Sequence, residues 1–177
     1  PYRTQKTEYS DNAFGGYAEK YREYVMQTVI PYLDKRFGYA EYAMLGYAAG
    51  AAATLFFADS AHSHPRVTAY GIFCAPLFVA PDEFSRFLNG TRFADASYRI
   101  YSDKTNFREQ TITATDALYS ASAVSIAAAL QRCGVNKISL EINNDEQTDV
   151  TELQRHSLAV EFATEFANAK YRSSTRV

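Results

Sequence analysis

A five-residue stretch in the first third of the chain has the spacing of a nucleophilic turn. Gly46-Tyr47-Ala48-Ala49-Gly50 follows a predicted strand and opens a predicted helix, and its small residues suit a sharp backbone bend. In the G-x-S-x-G pattern of the same spacing, the central serine presents its hydroxyl for attack on a carbonyl carbon. Ala48 occupies the serine position, and its methyl group cannot attack, so we expect no acyl transfer through this turn.

Histidines are the next candidates, because they carry most acid-base and metal chemistry near neutral pH. His62 and His64 form an H-x-H pair in a predicted loop, but no cysteine or carboxylate cluster accompanies them. We therefore expect solvated loop histidines there and no metal site. His156 falls in a stripe with Leu153 and Val160 on the last predicted helix, which indicates a half-buried packing role.

Two further features have a weaker link with ligands. Gly46 and Gly50 have the appearance of a phosphate-binding turn at a helix N-terminus. The G-x-x-x-G spacing is common, however, and no acidic ribose partner follows the next predicted strand, so no nucleotide or other cofactor is predicted. Asp145, Glu146 and Asp149 form an acidic loop that could attract a cation, although solvation and helix capping explain these residues better.

Composition and charge exclude several classes of protein. The 177 residues are 47% hydrophobic and 21% charged, which indicates one globular domain and excludes disorder and coiled coil. The 18 basic and 20 acidic side chains give a formal net charge of −2, so the chain has no global attraction for nucleic acid or anionic lipid. The longest apolar run, residues 48–58, is shorter than the roughly 20 residues that a bilayer requires, and we expect a soluble protein with no membrane insertion.

The two cysteines do not have the spacing of a zinc or redox motif. Cys74 and Cys133 are far apart in sequence, and neither belongs to a C-x-x-C pair. Free cysteine is among the most buried residue types, so two buried thiols are the expected state.

Helical and strand patterns alternate along the chain. The first helix has apolar residues every four positions, and Pro31 is predicted to kink it or to begin its last turn. The predicted helices cover Tyr17–Phe37, Ala49–Ala61, Pro81–Leu88, Asp116–Arg132 and Asp149–Lys170, and the predicted strands cover Tyr42–Tyr47, Val67–Ala75, Tyr98–Tyr101 and Lys137–Ile142.

This alternation predicts an α/β fold with a mainly parallel sheet flanked by helices and joined by right-handed crossovers. We divide the chain into an N-terminal loop or arm (residues 1–16), one α/β domain (residues 17–170) and a polar tail (residues 171–177). In such sheets, ligands bind at the carboxyl ends of the strands, which is where the turn at Ala48 lies.

The stretch from Val29 to Pro76 resembles the esterase family of the α/β-hydrolase fold that includes S-formylglutathione hydrolases, feruloyl esterases, enterochelin esterases and mycolyltransferases. The matching segments are VIPYLDKRFG, YAMLGYAAGAAATLFFA and VTAYGIFCAP, and weaker similarity continues through LQRCGV to the last helix. The resemblance covers most of this chain but only the C-terminal portion of the family's domain. It implies a partial α/β-hydrolase-like three-layer sandwich, with Gly46, Tyr47, Ala49 and Gly50 forming the nucleophile elbow around Ala48.

Three departures from the family pattern argue against catalysis. The nucleophile position is Ala48, and the segment in which the family carries its general-base histidine, residues 143–149, contains none. The strand and loop that supply one oxyanion-hole amide precede the part that this chain matches, and such a hole contributes several kcal/mol of transition-state stabilisation. Asp103 alone falls near the position of the family's catalytic acid.

These departures favour a catalytically inactive, esterase-like protein that serves as a structural or accessory subunit of a larger assembly. Other protein subunits are the expected partners, because a sheet without its front strands has an open edge that needs cover. One alternative is a carboxylic-ester hydrolase or acyltransferase whose serine has been replaced by Ala48, through engineering, or whose site is completed by another chain. A second alternative is a small-ligand-binding α/β module with its ligand at the Gly46–Gly50 turn.

Overall fold

Four segments form one parallel sheet in the computed structural model, which describes residues 18–38, 41–61, 63–103, 113–143 and 152–174. The strands are β1 (Tyr42–Tyr47), β2 (Val67–Phe73), β3 (Ser97–Asp103) and β4 (Ile138–Asn143). They pair in the order β1-β2-β3-β4, and every neighbouring pair is parallel. The predicted α/β class with a parallel sheet is confirmed.

Helices connect the strands, as parallel pairing requires. They are α1 (Ala18–Tyr24), α2 (Ile30–Phe37), α3 (Ala49–Phe57), α4 (Pro81–Gly90), α5 (Thr113–Arg132) and α6 (Glu152–Ser174). A π-helical turn, Val25–Val29, joins α1 to α2, and a 3₁₀ turn, Leu77–Val79, precedes α4.

The helices cover both faces of the sheet. On one face, α3 packs on β1 and β2 and α5 packs on β3 and β4, so that Tyr70, Ile72 and Ile100 are buried in the larger core. On the other face, Phe162 of α6 joins Phe73 in a smaller core. A Cβ atom at Gly71 would lie 2.5 Å from Cδ1 of Leu45, so this glycine makes room for that side chain, and the Phe162 ring lies at van der Waals distance from the same point. The result is three layers.

The first helix departs from the predicted four-residue stripe. Val25 and Ile30 are buried five positions apart, and the N–H of Ile30 donates to the carbonyl of Val25 across the wide turn. Pro31 follows directly, and because it has no N–H, it cannot continue the ordinary α-helical ladder into this turn. Phe37, at the end of the predicted stripe, is exposed.

Two other helix predictions need correction. The helix after β1 ends at Phe57 rather than Ala61, because the following residues leave the helix and Asp59 forms an isolated antiparallel bridge with Phe93. The last helix turns its other side to the sheet: Phe162 is buried, whereas His156 and Val160 are exposed. The face that carries Phe162 has the larger aromatic side chains. Turning this face toward the sheet buries more apolar surface, which decides the orientation of the helix. This helix also extends to Ser174, beyond the predicted end at Lys170.

The thiol prediction is right for Cys74, which is buried, and wrong for Cys133, which is exposed just after α5. Within the described ranges, no helix is long and apolar enough to span a bilayer.

Candidate functional site

The turn between β1 and α3 has the strained backbone that its spacing predicts. Ala48 adopts φ 51° and ψ −119°, which is a conformation that residues with a side chain rarely adopt. Its N–H donates a 2.9 Å hydrogen bond to the carbonyl of Phe73 on the neighbouring strand. The bond keeps the turn beside the carboxyl end of β2 and holds the backbone in its unfavourable conformation.

Gly46 and Gly50 allow this turn to close. A Cβ atom at Gly46 would lie 2.0 Å from the backbone oxygen of Gly50 and 2.4 Å from Oγ1 of Thr54, so only glycine fits there. The hydroxyl of Thr54 donates to the same Gly50 oxygen at 3.0 Å. Tyr47 and Ala49 flank Ala48, and the structure therefore brings all five predicted turn residues together.

The next strand ends in a second strained residue. Cys74 has φ 54°, is fully buried, and donates its N–H to the carbonyl of Tyr101 at 2.7 Å. The sequence gives little sign of this turn, because the strand pattern runs without interruption through Ala75. Two neighbouring strands therefore end in the same manner, with a positive-φ residue hydrogen-bonded to the following strand.

Asp103 is the last residue of β3 and is buried, at 1% exposure. It thus lies at the carboxyl edge of the sheet, where the resemblance places a catalytic acid. Burial raises the pKa of the nearby Tyr101 hydroxyl, and the negative charge of Asp103 acts in the same direction, although a hydrogen bond with Asn143 opposes both.

Aromatic side chains fill much of this edge. Phe73 and Tyr101 have ring centroids 5.7 Å apart, and Phe78 meets Tyr119 edge-to-face at 4.9 Å. All except Phe78 are buried. Of the histidines in the described ranges, His64 lies in the loop before β2, at the opposite edge, and His156 is exposed on α6. His62 and the segment 144–149 lie outside the described residues.

A charged cluster occupies the opposite, amino-terminal edge of the sheet. Arg66 binds Asp34 through both guanidinium nitrogens, with a 2.6 Å bond between Nη1 and Oδ1, and the hydroxyl of Tyr42 donates to the same carboxylate. These hydrogen bonds, with that from Arg66 the strongest, lower the pKa of Asp34 to about 2. The cluster joins α2, β1 and the loop before β2. Sequence patterns predicted a role for neither Asp34 nor its distant partner Arg66.

A second charged group lies between β3, β4 and α6. Arg99 contacts Glu165 at 3.0 Å, Glu161 at 3.2 Å and Glu141 at 3.4 Å. Burial alone would lower the pKa of Arg99, but the carboxylates raise it above its ordinary value. Within the part of the chain that the structure describes, no group of three or more histidine, cysteine or acidic side chains could hold a metal ion.

We find no match for the sequence among protein-family models or among curated proteins. Two solved structures have a similar fold. One is an IroE-like serine hydrolase from Shewanella oneidensis, with 10% identity and a TM-score of 0.56 over 82% of this chain and 49% of that chain. The other is the siderophore hydrolase EstA from Aspergillus nidulans, with 14% identity and a TM-score of 0.61 over 85% of this chain and 57% of that chain.

This chain therefore spans about half the length of the two hydrolase structures. At such low identity, the likeness concerns the fold alone. It supports the esterase-like α/β architecture that the sequence predicts.

Proposed function

We propose that the chain is a catalytically inactive, esterase-like protein that serves as a structural or accessory subunit of a larger assembly. The observation that carries this proposal is the methyl group of Ala48 at the tip of a strained turn. The turn holds the geometry that would expose a nucleophile, but the side chain contains no oxygen or sulfur. A covalent acyl intermediate cannot form there.

The surroundings of the turn support the same conclusion. Tyr101 is buried at the carboxyl edge, and burial raises the pKa of its hydroxyl, so this phenol stays protonated near neutral pH. The thiol of Cys74 is fully buried. Triad members act as a unit, so one remaining acid, Asp103, does not sustain the reaction.

The subunit role is supported by the outer edge of β1. Tyr42 and Ala48 donate their N–H groups to Arg66 and Phe73 on the β2 side. Because successive residues of a strand point their backbone groups in opposite directions, the N–H and C=O groups of Ala43 and Leu45 point away from β2. Within the described ranges, β1 has no strand on that side.

The side chains of β1 are typical of an interior strand. The segment YAMLGY has no charged residue, and such strands are covered on both faces and paired on both edges in most parallel sheets. An uncovered edge of this kind promotes aggregation unless another polypeptide pairs with it. We infer that a further strand from a different polypeptide segment covers β1 in the native assembly.

The catalytic part of the proposal is tested by Ala48→Ser, with Ala49→Ser as a matched control that places the same hydroxyl one residue beyond the strained position. We expect no release of p-nitrophenol from p-nitrophenyl acetate above the buffer rate by the wild type or by either variant. A burst in Ala48→Ser that is absent from Ala49→Ser would contradict the proposal. It would favour the alternative, an ester hydrolase or acyltransferase. The strained backbone of Ala48 is also consistent with that alternative.

The subunit part is tested on protein isolated from its natural source. Native mass spectrometry should show the chain bound to a second, different polypeptide segment or subunit. A free, stable monomer in which the Ala43 and Leu45 amides exchange rapidly would contradict the role.

A further inference from the structure

The other edge of the described sheet, at β4, presents a row of backbone groups with which no described strand pairs. Tyr98 donates its N–H to the carbonyl of Lys137 at 2.8 Å, so the backbone groups of Lys137 and of alternate residues after it point toward β3. The N–H and C=O groups of Ile138, Leu140 and Ile142 consequently point outward. No strand of the described residues pairs with them, since β4 ends the sheet.

An uncharged surface adjoins this edge on the α5 side of the sheet. Arg132 of α5 donates a hydrogen bond to Asn89 of α4, so the flank of α5 that carries Arg132 faces α4 and the middle of the sheet. Helical periodicity then places the opposite flank toward the outer side of β4. That flank carries Ser120, Val124 and Gln131 at its surface, with Ala127 buried beneath them. Val124 is 50% exposed, and Leu140, which β4 directs to the same face of the sheet as Ile100, is 42% exposed.

The β4 edge is complementary to itself. In an antiparallel pair of two copies with the two-fold axis at Leu140, Leu140 lies opposite Leu140 of the second copy, and Ile138 lies opposite Ile142. On the other face of the sheet, Glu141 lies opposite Ser139, so no two like charges are directly paired. Outward N–H and C=O groups of the two strands meet in this register.

We propose that two copies of this chain associate through β4, so that the four described strands of each copy join into one continuous sheet, with α5 packed against α5 of the second copy. Each α5 packs on both β3 and β4. With strands roughly 5 Å apart, helix axes midway between β3 and β4 would lie about 10 Å from each other across the joined edge, which is an ordinary helix-packing distance.

The β1 edge is the one proposed above for a different polypeptide segment. Tyr21 of α1 packs on Phe57 of α3 with ring centroids 5.7 Å apart, and Asp34 of α2 binds Tyr42 of β1, so these helices lie at the β1 side of the molecule. The self-association through β4 uses the other edge and is separate from the partner proposed at β1.

Cysteine cross-linking tests the interface and its register. In a Cys133→Ser background, which removes the exposed native thiol, Leu140→Cys should form an intermolecular disulfide under mild oxidation. The two Cα atoms at the axis of a hydrogen-bonded antiparallel pair are about 5.5 Å apart, within disulfide range. Ser139→Cys and, on the other edge, Leu45→Cys are the matched controls and should cross-link at least tenfold more slowly. Equal rates at positions 140 and 139, or faster cross-linking at position 45, would overturn the proposal.

Sedimentation of the uncross-linked chain supplies an independent measurement. The wild type should be a dimer at tens of micromolar, and Leu140→Lys should be a monomer, since it places two ammonium groups opposite each other at the axis. Leu118→Lys is the matched control, because Leu118 is 43% exposed on the other flank of α5, and this variant should remain dimeric. A monomeric wild type, or a dimeric Leu140→Lys, would overturn the proposal, while the esterase assay of Ala48→Ser is unaffected by either result.

Discussion

The two ends of the β1–β2 pair carry opposite kinds of structure. At the carboxyl end, Ala48 and Cys74 hold strained backbone conformations, and the side chains around them are mostly small or aromatic. At the amino end, Asp34, Tyr42 and Arg66 form a charged cluster, and none of these three residues has a positive φ. Strain usually persists in a fold where function requires it, whereas a bidentate ion pair usually fastens elements together.

The difference teaches that a fold can keep the architecture of a reactive site without the reactive group. The Ala48 turn is maintained by the close approach of Gly46 to Gly50 and by the hydrogen bond to Phe73, both of which are independent of the side chain at position 48. The strain is now a structural property of the β1–α3 connection. The cluster at the amino end contributes stability instead.

The largest expected effect is at Gly46. Gly46→Ala places a methyl group against the backbone of Gly50, which cannot move without displacing α3, so we expect a loss of more than about 3 kcal/mol in the free energy of unfolding. Gly50→Ala is the control, since nothing lies within 4 Å of a Cβ atom there. It should be neutral or stabilise the helix by about 0.5–1 kcal/mol in urea unfolding. Similar losses in both variants would show that the turn does not depend on this contact.

The second prediction concerns the loss of folding stability at low pH. The folded pKa of Asp34 is about 2, against 3.8 without its partners, so its contribution to stability is complete above about pH 4 and is lost as the pH falls toward 2. The stability difference between the wild type and Asp34→Asn should therefore shrink over that interval. Thermal melts at pH 7, 4 and 2 measure it. A difference that stays constant down to pH 2 would contradict the assignment of the shift to Arg66 and Tyr42.

The smallest expected effect is at the strained residue itself. Ala48→Gly should raise the free energy of unfolding by up to about 1 kcal/mol, because relief of the positive φ exceeds the added entropy of the unfolded chain. Ala121→Gly, on the exposed face of helix α5, should instead lower it by about 1 kcal/mol. If both variants lose stability equally in urea titrations, Ala48 carries no strain.

Sequence patterns predicted the elements better than their orientation. The strand Val67–Phe73 and the turn at Gly46–Gly50 depend on local residue types, and both lie within their predicted segments. The predicted buried face of α6 was wrong, because its sequence carries two apolar stripes, and the aromatic stripe is the one that packs on the sheet, where Phe162 meets Phe73. Likewise, Asp34 and Arg66 are 32 positions apart, and helical or strand periodicity does not predict contacts between residues so far apart in sequence.

At the candidate site, sequence reasoning identified the absent nucleophile but not what surrounds it. A missing functional group is visible in the residue type, since alanine offers no chemistry at any position. The buried aromatic residues around Tyr101 come from separate segments, and their meeting depends on the tertiary fold. The strain at Cys74 was also missed, because a non-glycine residue gives no sign of a positive φ.

The π-helical turn Val25–Val29 changes the direction, around the helix axis, in which the side chains that follow it point. An α-helix advances 100° per residue, so the additional residue that a wide turn accommodates rotates everything after it relative to everything before it. Tyr21 can thereby rest on Phe57 while Asp34 reaches Arg66. The helical segment makes both contacts because the residues before the wide turn and those after it face different directions.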